Sequence, residues 1–347
     1  MALSSSVSAR VSLGGFSLAT QTWRAAAAAP VTVTKNRVLA LHGWLDNSST
    51  FSRLAPLLLE SGAASEFVAL DLPGHGHSSH FDGPFQHARH VGLVKAMLDS
   101  LGWAQSETTI LGHSMGGGIS LLFAGCFPER LQKCVVIDAF GPYTSTPERA
   151  PVDLRKSIEA EERVSSSGGK SSSGNNRKYA TLGDAITARV KIVSTYPGSQ
   201  SISREAAEDI VRRGAHLVDS GSLSDAAAVA SWESTAGIDP TTWALSIPET
   251  LGPVAFRYDP RLLMPSATYL TVSQVDAFAS SITAPVLLLQ AQNGWPVKPQ
   301  DYADRKRILQ SKGLLDHRVV EGSHHLHLDP ATAPSVAATI AAFLLQK

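Results

Sequence analysis

The chain has 347 residues, 43% of them hydrophobic, which is ample for a buried core and fits one large α/β domain carrying an insertion, or two domains. Thirty Lys and Arg balance thirty Asp and Glu without any basic cluster, so nothing points to nucleic acid or an anionic membrane, and a small neutral molecule is the partner the composition favours. No apolar run approaches the roughly 20 residues of a membrane span.

Residues 1–10 are Ser-rich and no acid precedes Asp46, a composition resembling an organelle transit peptide. Against that, residues 11–23 read as two short strands around Gly14-Gly15, an opening hairpin that leaves only about ten residues for a leader. A strand at 37–41, a helix near 50–60 and a strand at 66–71 follow, then a helix over 87–101. Strands alternating with helices imply parallel pairing with helices on both faces. Asp71-Leu-Pro-Gly-His-Gly-His-Ser78 is a tight glycine-rich loop in which Asp71 is expected to cap backbone N–H groups.

Residues 107–120 contain Gly112-His-Ser-Met-Gly116 between a β-branched apolar run and a helix-like segment. This is the G-x-S-x-G nucleophile elbow, in which a sharp strand-to-helix turn exposes the Ser114 hydroxyl and the two glycines relieve backbone crowding. A strand over 133–138 follows. Between about 142 and 270 the strand signals stop and helical pieces at 181–194, 203–213 and 224–232 take over. Within that stretch, residues 165–176 are a Ser/Gly tract of the kind that stays disordered. The core pattern resumes with a helix at 272–280, a strand at 285–290, a helix at 299–312, a strand at 317–321 and a helix at 334–345. The two cysteines, Cys126 and Cys134, lack metal-ligand spacing and read as buried thiols of a reducing compartment, the cytoplasm.

A serine hydroxyl needs a base, and that base needs an orienting acid, in the chain order Ser, Asp or Glu, His. Gly322-Ser-His-His-Leu-His327 offers three histidines after the last strand. His324 fits best, because Gly-x-His directly after the strand turns the imidazole back over the elbow; His327 is second, and His325 is expected to be exposed. The loop 291–298 after the penultimate strand holds no carboxylate, and Asp301 and Asp304 read as the first turn of a helix. Asp138, at the end of the preceding strand, is the remaining candidate for the acid, with a turn or capping role as its alternative. Oxyanion donors are expected from the backbone N–H groups of Met115 and of Trp44, in the turn that follows the 37–41 strand. The Trp44 indole is an alternative lining for an acyl pocket, and His42 is expected to pack within its turn. No cofactor or metal is called for.

His42-Gly-Trp-Leu-Asp-Asn-Ser-Ser-Thr-Phe51, Leu111-Gly-His-Ser-Met-Gly-Gly117, Phe127-Pro-Glu129 and Gly322-Ser-His-His-Leu-His327 together resemble the serine hydrolase-like proteins of the α/β-hydrolase superfamily. The resemblance implies an α/β-hydrolase fold: a mostly parallel central sheet with helices on both faces and a helical cap after the sixth strand. It divides the chain into a core over 1–141 and 271–347 and a cap over 142–270, and it carries the Asp of the sixth strand onto Asp138. The resemblance implies a hydrolase without naming its substrate; the reading of the residues themselves points to hydrolysis of ester or thioester bonds of a small apolar acyl substrate through Ser114, His324 and Asp138. C–C hydrolysis or perhydrolysis on the same triad and non-catalytic ligand binding are the alternatives. Haloalkane and epoxide chemistry are disfavoured, because those members of the fold attack with a carboxylate.

Overall fold

Runs such as Val38-Leu-Ala-Leu41 and Cys134-Val-Val-Ile137 are buried on both faces, which is how strands in the middle of a parallel sheet read. In the structure, a computed structural model, residues 6–25, 35–80, 85–166, 177–198, 200–218, 253–297 and 299–346 are described. The strands are β1 (Val7–Leu13), β2 (Phe16–Arg24), β3 (Arg37–Leu41), β4 (Glu66–Leu70), β5 (Thr108–His113), β6 (Lys133–Ile137), β7 (Ala215–Leu217), β8 (Val254–Phe256), β9 (Val286–Asn293) and β10 (Leu315–Ser323). Eight of them form one sheet in the order β1-β2-β4-β3-β5-β6-β9-β10. The β1–β2 and β2–β4 pairs are antiparallel and the rest parallel.

Among the described residues the helices are α1 (Leu54–Glu60), α2 (His87–Leu101), α3 (Met115–Cys126), α4 (Ala150–Ser166), α5 (Leu182–Ser194), α6 (Arg204–Gly214), α7 (Val272–Ser281), α8 (Pro299–Ser311) and α9 (Ala333–Leu345). Alternate strand residues serve opposite faces. Leu39, Ile110 and Val136 pack with Val94, Phe123 and Val275 of α2, α3 and α7, while Val38, Leu111 and Val135 pack with Leu58 and Ile340 of α1 and α9. α2 stops at Gly102, whose φ of +63° ends the helix in the left-handed region.

Helices α4, α5 and α6 lie between β6 and β9, and the two ends of this insertion meet: Ser145 N–H donates to Leu270 C=O at 3.0 Å beside a Thr144–Leu270 bridge. Thr181 and Ser203 cap α5 and α6 by accepting from Asp184 N–H and Ala206 N–H. The insertion has its own apolar cluster, with Leu182, Ile186, Ala206 and Ile210 at its centre.

Several expectations are corrected. The insertion contains strand pairing, β7 against β8, which three-residue strands are too short to announce by alternation. β1 already begins at Val7. The expected 50–60 helix is split into a 3-10 turn, Ser48–Phe51, capped by Asn47, and α1. α4 runs through Ser166, so the Ser/Gly tract begins inside a helix; residues 167–176 and the expected 224–232 helix lie outside the described residues. Cys126, at the last turn of α3, is exposed, and only Cys134 is buried. No helix among the described residues is long and apolar enough to cross a membrane.

Buried polar contacts dock the insertion. Asp71, fully buried, accepts from Ser48 N–H at 2.7 Å and His77 N–H at 2.9 Å, and also from Arg213 Nε of α6 at 2.9 Å. Burial works to raise the Asp71 pKa, but Arg213 and His77 bring it below the ordinary carboxylate value. Replacing Arg213 by Met leaves that charge buried without its partner. Chemical denaturation should then show a loss of about 3–5 kcal/mol, and an unchanged midpoint would mean that the pair contributes nothing.

Candidate functional site

The strand order places β3 between β4 and β5, the point where connections leave in opposite directions and where open α/β sheets bind ligands at the carboxyl ends of strands. Leu41 is paired with Gly112, His113 with Ile137, Ile137 with Leu289 and Ala291 with Val320. The turns that follow β3, β5, β6, β9 and β10 are therefore neighbours.

Ser114 follows β5 with φ +53° and ψ −118°, a conformation L residues rarely adopt. Three bonds hold it: Ser114 N–H to Ile137 C=O at 3.0 Å, Gly118 N–H to Ser114 C=O at 3.0 Å, and Gly116 N–H to His42 C=O at 3.1 Å. A Cβ on Gly112 would collide with the Gly116 carbonyl, and one on Gly116 with the Leu41 carbonyl. The glycines thus let α3 start directly against the turn after β3.

His324 follows β10 and is 4% exposed. Its Nδ1 is 2.6 Å from Asp138 Oδ2 and its Nε2 is 2.8 Å from Ser114 Oγ. With Nδ1–H donating to the carboxylate, Nε2 is free to accept the serine proton. His324 N–H donates to Gln200 Oε1 at 2.8 Å, and the imidazole of His113 donates through Nε2 to His324 C=O at 2.9 Å.

Asp138 also has a left-handed backbone, φ +48°. The end of β9 and the loop after it, which lacks a carboxylate of its own, supply donors to it instead: Ala291 N–H of β9 reaches Oδ1 at 3.0 Å and Trp295 N–H of the loop reaches Oδ2 at 2.9 Å. Gly294 passes so close that a Cβ there would overlap Asp138 Oδ1. Of the rival acids, Asp301 and Asp304 belong to α8, and Asp304 is paired with Arg307 at 2.7 Å on the surface.

Trp44 and Met115 begin the turn after β3 and the helix after Ser114, and neither backbone N–H donates a hydrogen bond among the described residues. The Trp44 indole donates to Leu262 C=O at 3.0 Å and also lines a cavity of about 330 Å³ between core and insertion. Aromatic walls from Tyr179, Tyr196, Phe256 and Tyr258 make that cavity mainly apolar. Tyr196 touches Trp295, ring centroids 5.6 Å apart, and Trp295 touches His324 at 5.3 Å, so one lining residue is linked to the imidazole through the Trp295 ring, while Ser114 and His324 themselves lie outside the cavity lining.

His325 is buried, 2% exposed, contrary to the expectation that it faces solvent: the chain folds inward after β10, with Leu328 N–H donating to His325 C=O and Asp329 accepting from Ser203 N–H. Its Nε2 lies 3.4 Å from Asp46 Oδ2, whereas His327 shares a 2.8 Å hydrogen bond with Thr50 Oγ1. Burial pushes both imidazoles down, His327 to about 3, which keeps them neutral near pH 7. His42 uses both nitrogens inside its turn, donating to Gly43 C=O at 2.7 Å and accepting from Leu72 N–H at 2.9 Å. The sequence reading missed the contribution of Gln200, Trp295 and Gly294, and the Asp46–Arg189 ion pair beside them; a Gly-Trp pair in a loop without acids was the available signal for two of these.

Residues 36–161 match the family described as alpha/beta hydrolase fold. The serine hydrolase-like protein of Danio rerio is 29% identical over 310 residues, 87% of this chain and 80% of its own length. A hypothetical protein of Pseudomonas aeruginosa PAO1 of known crystal structure is 32% identical, with a TM-score of 0.74 covering 98% of this chain and 99% of the other. The thioesterase domain from the curacin biosynthetic pathway shares the fold at 17% identity, TM-score 0.68, covering 99% of this chain and 100% of its own.

Proposed function

Given that the chain belongs to the α/β-hydrolase superfamily, with serine hydrolase-like proteins among its relatives, we propose that it hydrolyses ester or thioester bonds of a small, mainly apolar acyl substrate by way of an acyl-enzyme. The observation that carries this reading is the unbroken path from Ser114 Oγ to His324 Nε2 at 2.8 Å and from His324 Nδ1 to Asp138 at 2.6 Å, on a backbone strained at the serine.

In this mechanism Ser114 Oγ attacks the carbonyl carbon while His324 Nε2 takes its proton. The oxyanion of the tetrahedral intermediate accepts from the Met115 and Trp44 N–H groups. Collapse breaks the ester or thioester bond, and the leaving oxygen or sulfur receives the proton from His324. Water then attacks the acyl-serine, again with His324 as base, and releases the acid. Asp138 holds Nδ1 protonated and stabilises the imidazolium. The aromatic cavity of about 330 Å³ suits a compact apolar group, and its lower end for pockets that hold whole ligands argues for a small substrate.

A fluorophosphonate probe and a panel of p-nitrophenyl esters of graded chain length test the proposal. Labelling of the folded protein and turnover that peaks at short or aryl acyl groups are expected. A folded protein that binds such esters but is neither labelled nor active would instead be a ligand-binding module.

A further inference from the structure

The turn that presents the Trp44 amide is anchored from the insertion. Leu45 has φ +59° without being glycine, a conformation that persists only where its surroundings over-determine it. Asp46 N–H closes the turn onto Gly43 C=O at 3.2 Å. The Asp46 carboxylate, 3% exposed, receives Arg189 Nη2 of α5 at 2.5 Å, with Arg189 itself 5% exposed. It also lies 3.4 Å from His325 Nε2 and 3.7 Å from His113 Nδ1. The next residue repeats the link, since Asn47 Nδ2 donates to Ile210 C=O of α6 at 2.8 Å. Burial works to raise the Asp46 pKa, but His325 and Arg189 hold the carboxyl well below its usual range, so the anchor is charged.

Two of the groups around Asp46 reach the reacting imidazole as well. His325 adjoins His324 in sequence, and His113 donates to the His324 carbonyl. One carboxylate therefore joins helix α5, the turn after β3, the end of β5 and the loop after β10. A buried ion pair adds little net stability over an apolar pair of similar volume. What this pair does supply is a fixed position for a strained turn.

We propose that Asp46 and Arg189 are positioning residues that hold the Trp44 amide at the oxyanion, so that the oxyanion hole is complete only when α5 is docked. The inference rests on the hydrolase reading above. An oxyanion donor acts over a narrow distance, and a displacement of about 1 Å costs on the order of 100-fold in rate.

On a short p-nitrophenyl ester, Arg189→Met is expected to lower kcat by about ten- to hundred-fold and to change KM by less, because Arg189 also lines the cavity whereas the oxyanion contact is made only in the transition state. Arg189→Lys should recover part of the loss. The double variant Asp46→Asn/Arg189→Met removes both buried charges, which guards against a misfolded single variant, and is expected to show the same loss of kcat. Arg53→Met breaks another link between core and insertion, Arg53 Nε to Asp209 Oδ2 at 3.1 Å, outside the turn, and should leave kcat unchanged. A double variant with near-wild-type kcat, a loss confined to KM, or an equal loss in Arg53→Met overturns the proposal. All three leave fluorophosphonate labelling of wild type intact, whereas absence of that labelling would overturn the hydrolase reading and this inference with it.

Discussion

Ser114→Ala is expected to lower kcat by about a million-fold and to abolish fluorophosphonate labelling, with the thermal transition close to that of wild type. The substitution removes one oxygen and nothing that shapes the turn. The bonds at the elbow are made by main-chain groups, Ser114 N–H to Ile137 C=O and Gly118 N–H to Ser114 C=O, and Ala retains both. The Cβ already tolerates φ +53°, so the backbone strain is common to both proteins. His324 loses its 2.8 Å partner but keeps Asp138, which leaves a base with no proton to take. Water held by the same amides would still react slowly, which is why removing a triad member leaves roughly a thousand-fold catalysis over solution. Ester turnover by Ser114→Ala above about one per cent of wild type would show that Ser114 is not the nucleophile.

The parts of this architecture set by local patterns were legible from residues alone. Continuous apolar runs marked β3, β6 and β9, and the helices expected at 87–101, 181–194 and 203–213 agree with α2, α5 and α6 to within a residue at each end. Ser114 and His324 were legible because glycines flank them where a strand gives way to a turn. Asp138 needed an argument from absence, since the loop after β9 contained no acid. What stayed hidden is long-range pairing of charge. Arg189, Arg213 and Gln200 find their partners 143, 142 and 124 residues away. An Arg on an amphipathic helix reads the same whether it faces solvent or a buried carboxylate, because periodicity records which face is polar and not what that face meets. The same blindness applies to His325, which is expected to face solvent and which the inward fold of the chain after β10 buries.

Asp138→Asn is expected to lower kcat by about ten-thousand-fold near neutral pH, through the tautomer of His324 and not through any loss of fold. The carboxylate accepts from three donors, Ala291 N–H on Oδ1 and both Trp295 N–H and His324 Nδ1 on Oδ2. An amide satisfies only part of this set. If its NH2 faces Ala291, two donors oppose each other beside β9. If it faces His324, the imidazole must accept at Nδ1 and carry its proton on Nε2, which then has no lone pair for Ser114. Gly294→Ala should act on the same atom by another route, because its Cβ would overlap Asp138 Oδ1, and a loss of about 100-fold is expected from the displaced carboxylate. Asp301→Asn and Asp304→Asn are expected to leave turnover unchanged. Both lie on α8, and the Asp304–Arg307 pair is solvent-exposed, with side chains 54% and 76% accessible. Initial rates across this set, with circular dichroism to check the fold, decide the matter: near-normal turnover by Asp138→Asn, or a collapse in either α8 variant, would move the acid elsewhere.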